Sequence, residues 1–136
     1  MPFMLDTPVA AALIRGDITE DRNAQLAAIL PQELCVSAVT RAELLLGLTD
    51  FPEHLMLRRA LSSFFQIVRS LPWDDAAADE YARVRPLVVR EGADIGELDI
   101  MVVAHAVAAG AILVTNRPGL FASLQLPMLV LQWERR

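Results

Sequence analysis

Three acidic residues stand at the predicted starts of helices, each close to an apolar stretch of the chain. Asp6 follows a short apolar run, Glu43 lies just beyond a second run, and Asp99 directly precedes the Ala-rich segment 100–109. Short β-rich runs that alternate with helical segments predict an α/β fold in which helices flank a central, mainly parallel sheet. Because parallel strands end at a common edge of the sheet, we expect the three carboxylates to lie near one another.

Each of these helix starts also has a purely structural explanation. Thr7 is a good N-cap for the first helix, and Thr40 with Glu43 has the spacing of a capping box, in which the glutamate reaches back to the N–H of the cap. A carboxylate at Asp99 gains about 0.3–1 kcal/mol from the positive end of a helix that begins near Leu98. Capping therefore accounts for any one acid, and only their common location would indicate a functional site.

The remaining elements continue the alternation. Further helices are predicted over 9–14, 18–30, 52–65 and 74–90, and strands over 3–5, 34–39, 67–71, 111–114 and 128–131. Pro86 is expected to kink or break its helix. His105 is expected to be packed or half-exposed, and Trp133 to anchor the tail.

The composition predicts one domain, residues 1–136, that buries part of its surface against another chain. Hydrophobic residues make up 54% of the chain and the mean hydropathy is +0.39, both high for a soluble protein of this size. A homodimer or a bound partner is therefore expected. No apolar run is long enough to cross a membrane and the N-terminus lacks a basic leader, which predicts a cytoplasmic protein. Cys35, the single cysteine, is expected to be a buried, unreactive thiol.

The chain contains no lysine: its 12 basic residues are all arginine, against 17 acidic residues. A P-loop and the acidic pocket of response-regulator receivers both require a lysine, so both are excluded. The net charge of −5 also argues against binding nucleic acid by bulk electrostatics. Any contact with nucleic acid must be local.

Three carboxylates gathered at one sheet edge would repel one another. At about 5 Å and an effective dielectric constant near 20, each pair costs roughly 3 kcal/mol, or on the order of 10 kcal/mol for the trio. Protonation or a divalent cation must offset this repulsion. All-oxygen ligands favour Mg²⁺ or Mn²⁺ over zinc.

Four segments carry a recognisable pattern. They are Met4-Leu5-Asp6-Thr7, Ser37-Ala38-Val39-Thr40-Arg41-Ala42-Glu43-Leu44, Ile95-Gly96-Glu97-Leu98-Asp99-Ile100, and Leu113-Val114-Thr115-Asn116 followed by Phe121. In their order and spacing the chain resembles the PIN-domain ribonucleases, and more closely the VapC-type toxins of bacterial toxin–antitoxin pairs.

This resemblance implies a metal-dependent endoribonuclease in which Asp6, Glu43 and Asp99 are catalytic and hold Mg²⁺ or Mn²⁺ for attack on an RNA phosphodiester. Thr115 and Asn116 are implied to assist by orienting a water molecule or a carboxylate. The family also implies a homodimer and a cognate VapB-type antitoxin that blocks the site.

The chain departs from the family pattern at three positions. Pro8 stands where asparagine is usual, Arg117 where a fourth Asp or Asn is frequent, and Leu120 where an acid is common. Arg117 either displaces a second metal ion or contacts the scissile phosphate, and with Thr7 it is a candidate substrate-binding residue. Glu97 is a candidate replacement for the missing acid, although an exposed turn residue is the simpler interpretation.

Two alternatives remain open from the sequence. A degenerate PIN-like domain would bind RNA or an antitoxin without cleaving, and Arg117 is its best support. A structural α/β interaction domain would use its acids only as helix caps. It predicts that Asp99→Asn, which keeps a capping oxygen, changes stability little with or without metal.

Overall fold

Five short strands form one sheet in which every neighbouring pair is parallel. The strands are β1 (Phe3–Leu5), β2 (Leu34–Ser37), β3 (Arg69–Leu71), β4 (Ile112–Thr115) and β5 (Met128–Val130), in the order β3-β2-β1-β4-β5. This computed structural model describes residues 1–92, 94–120 and 124–131. The α/β class with a parallel sheet is confirmed, whereas Phe121 and Trp133 lie outside the described residues.

Six α-helices cover the two faces of the sheet in the described part of the chain. They are α1 (Thr7–Arg15), α2 (Ala24–Ala27), α3 (Ala38–Gly47), α4 (Leu55–Ile67), α5 (Asp75–Arg90) and α6 (Glu97–Ala108). No helix within the described ranges is both long and apolar enough to cross a membrane.

Side chains alternate between the two faces of the strands and so build two apolar layers. Met4 and Leu113 point into the layer formed with α5 and α6. Their neighbours Leu5 and Val114 point into the layer formed with α1 and α4. Each such fully buried side chain contributes about 1.5–3 kcal/mol, so these layers fix the strand ends that carry the polar residues. Cys35 is also buried, and burial raises the pKa of its thiol to about 11, as an unreactive cysteine requires.

Two predicted helices differ from those observed. The segment 18–30 contains only the single turn α2, because the side chain of Asn23 accepts hydrogen bonds from the backbone N–H groups of Gln25 and Leu26 and starts a new helix there. Conversely, α5 runs unbroken through Pro86. Pro86 and the residue four positions before it are exposed, so the carbonyl left unpaired by proline is available to water.

Candidate acidic active site

The polar cluster lies where the strand order of the sheet reverses direction. From β1 the chain passes to β2 on one side of the sheet and later enters β4 on the other, so β1 and β4 are neighbours at the centre. Asp6 follows β1 directly, and Thr115 is the last residue of β4. Ligands of open α/β sheets bind in the crevice at such a switch point.

Asp6 is the most buried of the three acids, with 2% of its surface exposed. Its Oδ1 accepts a hydrogen bond from the N–H of Val9 at 3.0 Å, and its Oδ2 accepts one from the hydroxyl of Thr115 at 2.6 Å. Asp6, not Thr7, is therefore the N-cap of α1, because Asp6 has extended backbone angles while Thr7 is already helical. Burial raises the pKa of Asp6, and the hydrogen bonds from Thr115 and Val9 oppose that rise.

Glu43 lies on the second turn of α3 and faces Thr7. The predicted capping box is wrong: Ser37 is the N-cap, and Thr40 lies inside the helix. The hydroxyl of Thr7 donates to Oε1 of Glu43 at 2.8 Å, and Thr40 Oγ1 lies 2.9 Å from Thr7 Oγ1. Burial raises the pKa of Glu43, the bond from Thr7 lowers it, and the negative charge of Asp99 raises it further.

Asp99 lies in the first turn of α6, as predicted, and is partly exposed. Its carboxylate faces the guanidinium of Arg117, with Nη2 3.1 Å from Oδ1 and Nη1 3.4 Å from Oδ2. The same Nη2 lies 3.7 Å from Oδ2 of Asp6. Arg117 thus stands between two of the acids that the sequence predicts as metal ligands.

Arg117 and its neighbour Asn116 each have a buried polar atom without a hydrogen-bond partner among the described residues, namely Nε of Arg117 and Oδ1 of Asn116. The backbone N–H of Arg117 donates to Thr115 Oγ1 at 3.0 Å, and that same hydroxyl donates to Asp6. These two hydrogen bonds fix the position of the Arg117 backbone relative to Asp6. Unpaired buried polar atoms are rare and indicate a missing partner or a rearrangement.

The structure brings the predicted site residues to one sheet edge but leaves the acids apart. Asp6 and Asp99 share Arg117, and Glu43 is held by Thr7. Within the described ranges, no group of three His, Cys, Asp or Glu residues is close enough to hold one ion.

A divalent cation nevertheless fits the chemistry of this cluster. Every donor is an oxygen, as Mg²⁺ and Mn²⁺ prefer, and the unpartnered Oδ1 of Asn116 adds a further one. The negative charge of Asp99 acts on both Asp6 and Glu43. The single positive charge of Arg117 does not neutralise three carboxylates.

Sequence reasoning missed a buried pair that joins α3 to α6. Nδ1 of His105 lies 2.7 Å from Oγ of Ser37, the N-cap of α3, and both residues are buried. The helices joined in this way carry Glu43 and Asp99. The two residues are separated by 68 positions in the chain, so no local pattern reports their contact.

Glu97 does not replace the missing acid. Its carboxylate accepts from Arg85 Nε at 2.7 Å and from the hydroxyl of Tyr81, on the exposed side of α5 and α6. The simpler prediction of an exposed residue is confirmed for Glu97, although it lies in the first turn of α6 and not in a loop.

The chain is similar to known members of one protein family. The PIN domain family model matches residues 3–119. The tRNA(fMet)-specific endonuclease VapC of Shigella flexneri is 30% identical over 121 residues, which cover 85% of this chain and 86% of that protein. Ribonuclease VapC2 of Haemophilus influenzae is 30% identical over 120 residues, which likewise cover 85% of this chain and 86% of that protein.

Solved structures show the same fold. A chain of the DNA-bound VapBC complex of Salmonella typhimurium superposes with a TM-score of 0.79 at 25% identity, over 96% of this chain and 98% of that one. A chain of the VapBC2 complex of Rickettsia felis, bound to a DNA fragment from its promoter, superposes with a TM-score of 0.84 at 21% identity. The superposition covers 97% of this chain and 100% of that one. The chain belongs to the PIN-domain family, within its VapC-type branch.

Proposed function

We propose that this protein is a metal-dependent endoribonuclease toxin that hydrolyses RNA phosphodiester bonds. The observation that carries the proposal is the position of Asp6, Glu43 and Asp99 around one crevice at the switch point of the sheet, where the charge of Asp99 acts on both other acids. Charges placed so as to repel one another lower stability unless a ligand uses them.

Asp6, Glu43 and Asp99 are the residues that would hold Mg²⁺ or Mn²⁺. When bound, such an ion supplies activation of the attacking water and neutralisation of the leaving oxygen. The pKa values of Asp6 and Glu43 are raised by burial, and a cation held by these residues would favour the ionised form of both carboxylates.

The neighbouring polar residues keep the acids in position. Thr115 fixes one oxygen of Asp6, and Thr7 fixes one oxygen of Glu43. Asn116 offers a buried amide oxygen beside Thr115, without a partner among the described residues, that would accept a bond from a water molecule. The guanidinium of Arg117, one-third exposed at the mouth of the crevice, is suited to a bidentate contact with a substrate phosphate.

Substrate and partners follow from the relatives. One relative is named for its action on tRNA(fMet), so tRNA is the first RNA class to test. The structural neighbours are VapBC complexes, which favours a VapB-type antitoxin as partner. We also propose that the toxin is a homodimer and acts in the cytoplasm. Exposed apolar side chains between the end of α3 and the start of α4 offer surface for such contacts: Leu46, Phe51, Leu55 and Met56.

The direct test is cleavage of RNA by purified, antitoxin-free protein. Total tRNA, ribosomal RNA and messenger RNA are incubated with the protein in Mg²⁺, in Mn²⁺ and in EDTA, beside the Asp99→Asn variant. We expect discrete cleavage of one RNA class that requires metal and is lost in the variant. Cleavage that persists in EDTA, or that Asp99→Asn retains, would refute the proposed site.

A PIN-like domain that binds RNA or an antitoxin without cleaving is the second candidate. The ion pair between Arg117 and Asp99 favours it, because this contact already satisfies one acid without metal. Tight RNA binding by the wild-type protein, with no cleavage in either metal, would favour this candidate.

A further inference from the structure

We propose that Arg117 is an internal counter-ion that competes with the divalent cation for Asp6 and Asp99, so that metal binding must displace its side chain. This inference rests on the proposed function, because it presupposes that the acids bind metal. It assigns Arg117 a regulatory role at the site that is separate from any contact with substrate.

The first argument is that the guanidinium of Arg117 already occupies the space beside the two carboxylates. One nitrogen of the guanidinium, Nη2, is 3.1 Å from Asp99 Oδ1 and 3.7 Å from Asp6 Oδ2. A Mg²⁺ ion coordinated by these carboxylates would lie about 2.0–2.1 Å from their oxygens. Its charge and that of the guanidinium would then lie within a few ångströms of each other in a partly buried crevice. The two cations therefore exclude one another from the same pair of acids.

The second argument is that Arg117 satisfies the site incompletely. Glu43 receives its hydrogen bond from Thr7, and the contact of Arg117 with Asp6 is an ion pair at 3.7 Å. The Nε of Arg117 is buried without a partner among the described residues. A guanidinium with one unpaired buried nitrogen is held less firmly than one with all its donors used.

The third argument is that the side chain of Arg117 can rotate into solvent. The backbone of Arg117 is tied to Thr115, but its side chain is 32% exposed while it contacts the acids. Rotation about its side-chain bonds would carry the charge into solvent without any change in the sheet. Displacement by metal then leaves the guanidinium beside the site, where a phosphate is expected to bind.

The test is calorimetric titration of Mn²⁺ into metal-free wild-type protein, Arg117→Ala and Asp99→Asn. Arg15→Ala is the matched control, because Arg15 forms an exposed ion pair with Asp17 at the far end of α1, roughly 13 Å from the helix start. We expect Arg117→Ala to bind Mn²⁺ at least tenfold more tightly than wild type, while Arg15→Ala changes the affinity less than twofold.

Several outcomes would overturn the competition. If Arg117→Ala binds Mn²⁺ no more tightly than wild type while Asp99→Asn abolishes binding, the metal site stands and the counter-ion role is wrong. If Arg15→Ala tightens binding as much as Arg117→Ala does, net charge explains the effect. If neither wild type nor Arg117→Ala binds Mn²⁺ saturably, both this inference and the proposed function fail.

A second measurement uses the unmodified protein and does not depend on the folding of a variant. The Nε–H signal of Arg117 in ¹⁵N NMR spectra is followed while diamagnetic Mg²⁺ is added. We expect this signal to shift and to exchange faster with water as the site saturates, whereas that of Arg15 stays constant. A signal that does not move at saturating Mg²⁺ would rule out displacement.

Discussion

The guanidinium of Arg117 meets the carboxylate of Asp99 side by side, with two nitrogens facing two oxygens at 3.1 and 3.4 Å. This two-point contact joins the segment that follows β4 to the first turn of α6. Lysine would make only a single-point contact here, so arginine at this position has a geometric reason.

The coupling free energy between Arg117 and Asp99 should depend on whether a divalent cation is bound. A double-mutant cycle of Arg117→Ala and Asp99→Ala, measured by urea denaturation of metal-free protein, is expected to give a coupling of about 1 kcal/mol, because both side chains are partly solvated. In saturating Mn²⁺ the coupling between Arg117 and Asp99 should fall toward zero. A coupling that metal leaves unchanged would mean that the pair persists beside the bound ion.

Asp6→Asn is expected to change how stability depends on pH. Because the pKa of Asp6 is raised above its ordinary value of 3.8, the folded state holds a proton to higher pH than the unfolded state does. Metal-free wild type should therefore lose stability relative to Asp6→Asn as pH rises through the interval between 3.8 and the raised pKa. Urea denaturation between pH 4 and 7.5 measures the difference, and Asp17→Asn, which removes an exposed carboxylate, is the control. Parallel curves for wild type and Asp6→Asn would contradict the prediction.

Thr7→Val should weaken metal binding without greatly changing stability. Valine keeps the shape of threonine but removes the hydroxyl that donates to Glu43, and losing such a partner of a metal ligand typically costs 10–100-fold in affinity. We expect the Kd for Mn²⁺ to rise about tenfold. Thr7→Ser keeps the hydroxyl and should behave like wild type.

The same Thr7 variants test the prediction that this residue binds substrate. A role confined to holding Glu43 leaves the KM for RNA unchanged at saturating metal. A raised KM in Thr7→Val, restored in Thr7→Ser, would instead assign the hydroxyl to RNA.

His105 is expected to stabilise the protein only in its neutral form. The hydroxyl of Ser37 accepts from the N–H of Val39 and lies 2.7 Å from Nδ1 of His105, a distance at which the two groups share a hydrogen bond. Burial lowers the pKa of His105 below 6.5, so its stabilising effect is complete above pH 6.5 and is lost as pH falls toward the lowered value.

Two substitutions separate these effects at His105. His105→Asn keeps a hydrogen-bonding partner for Ser37 and removes the titration, so wild type should lose stability relative to it between pH 7.5 and 5.5. His105→Ala should cost about 2 kcal/mol or more at neutral pH, because it leaves a cavity and an unpaired hydroxyl. A stability difference between wild type and His105→Asn that is constant with pH would show that the imidazole does not titrate in this way.

Glu97→Gln should leave RNA cleavage within twofold of wild type. Its carboxylate is engaged by Tyr81 and Arg85 at the exposed surface, where solvent screens charged pairs, so its loss is expected to change stability little. Cleavage assays beside Asp99→Asn make the comparison. A loss of activity as large as that of Asp99→Asn would place Glu97 in the site after all.

The sequence was sufficient to predict the alternation of strands and helices and the shared sheet edge, because these depend on local periodicity. The sequence was not sufficient to predict which residues cap the helices. Asp6 and Thr7 are both good capping residues, but Asp6 caps α1 while the hydroxyl of Thr7 bonds to Glu43, 36 positions away, a contact that no local pattern reports. Arg117 stood out as a departure from the family pattern, but its contact with Asp99 follows only from the packing of α6 near the end of β4.

The pairing of β1 with β4 also has a consequence for protein synthesis. Asp6 leaves the ribosome 109 residues before Thr115, the residue that fixes its carboxylate. Arg117 and Asn116 emerge later still, and β5 completes its side of the sheet after them. The acids therefore cannot adopt their final arrangement on a nascent chain that lacks β4. For a member of a ribonuclease family, this order of assembly would keep the growing chain inactive until β4 has emerged.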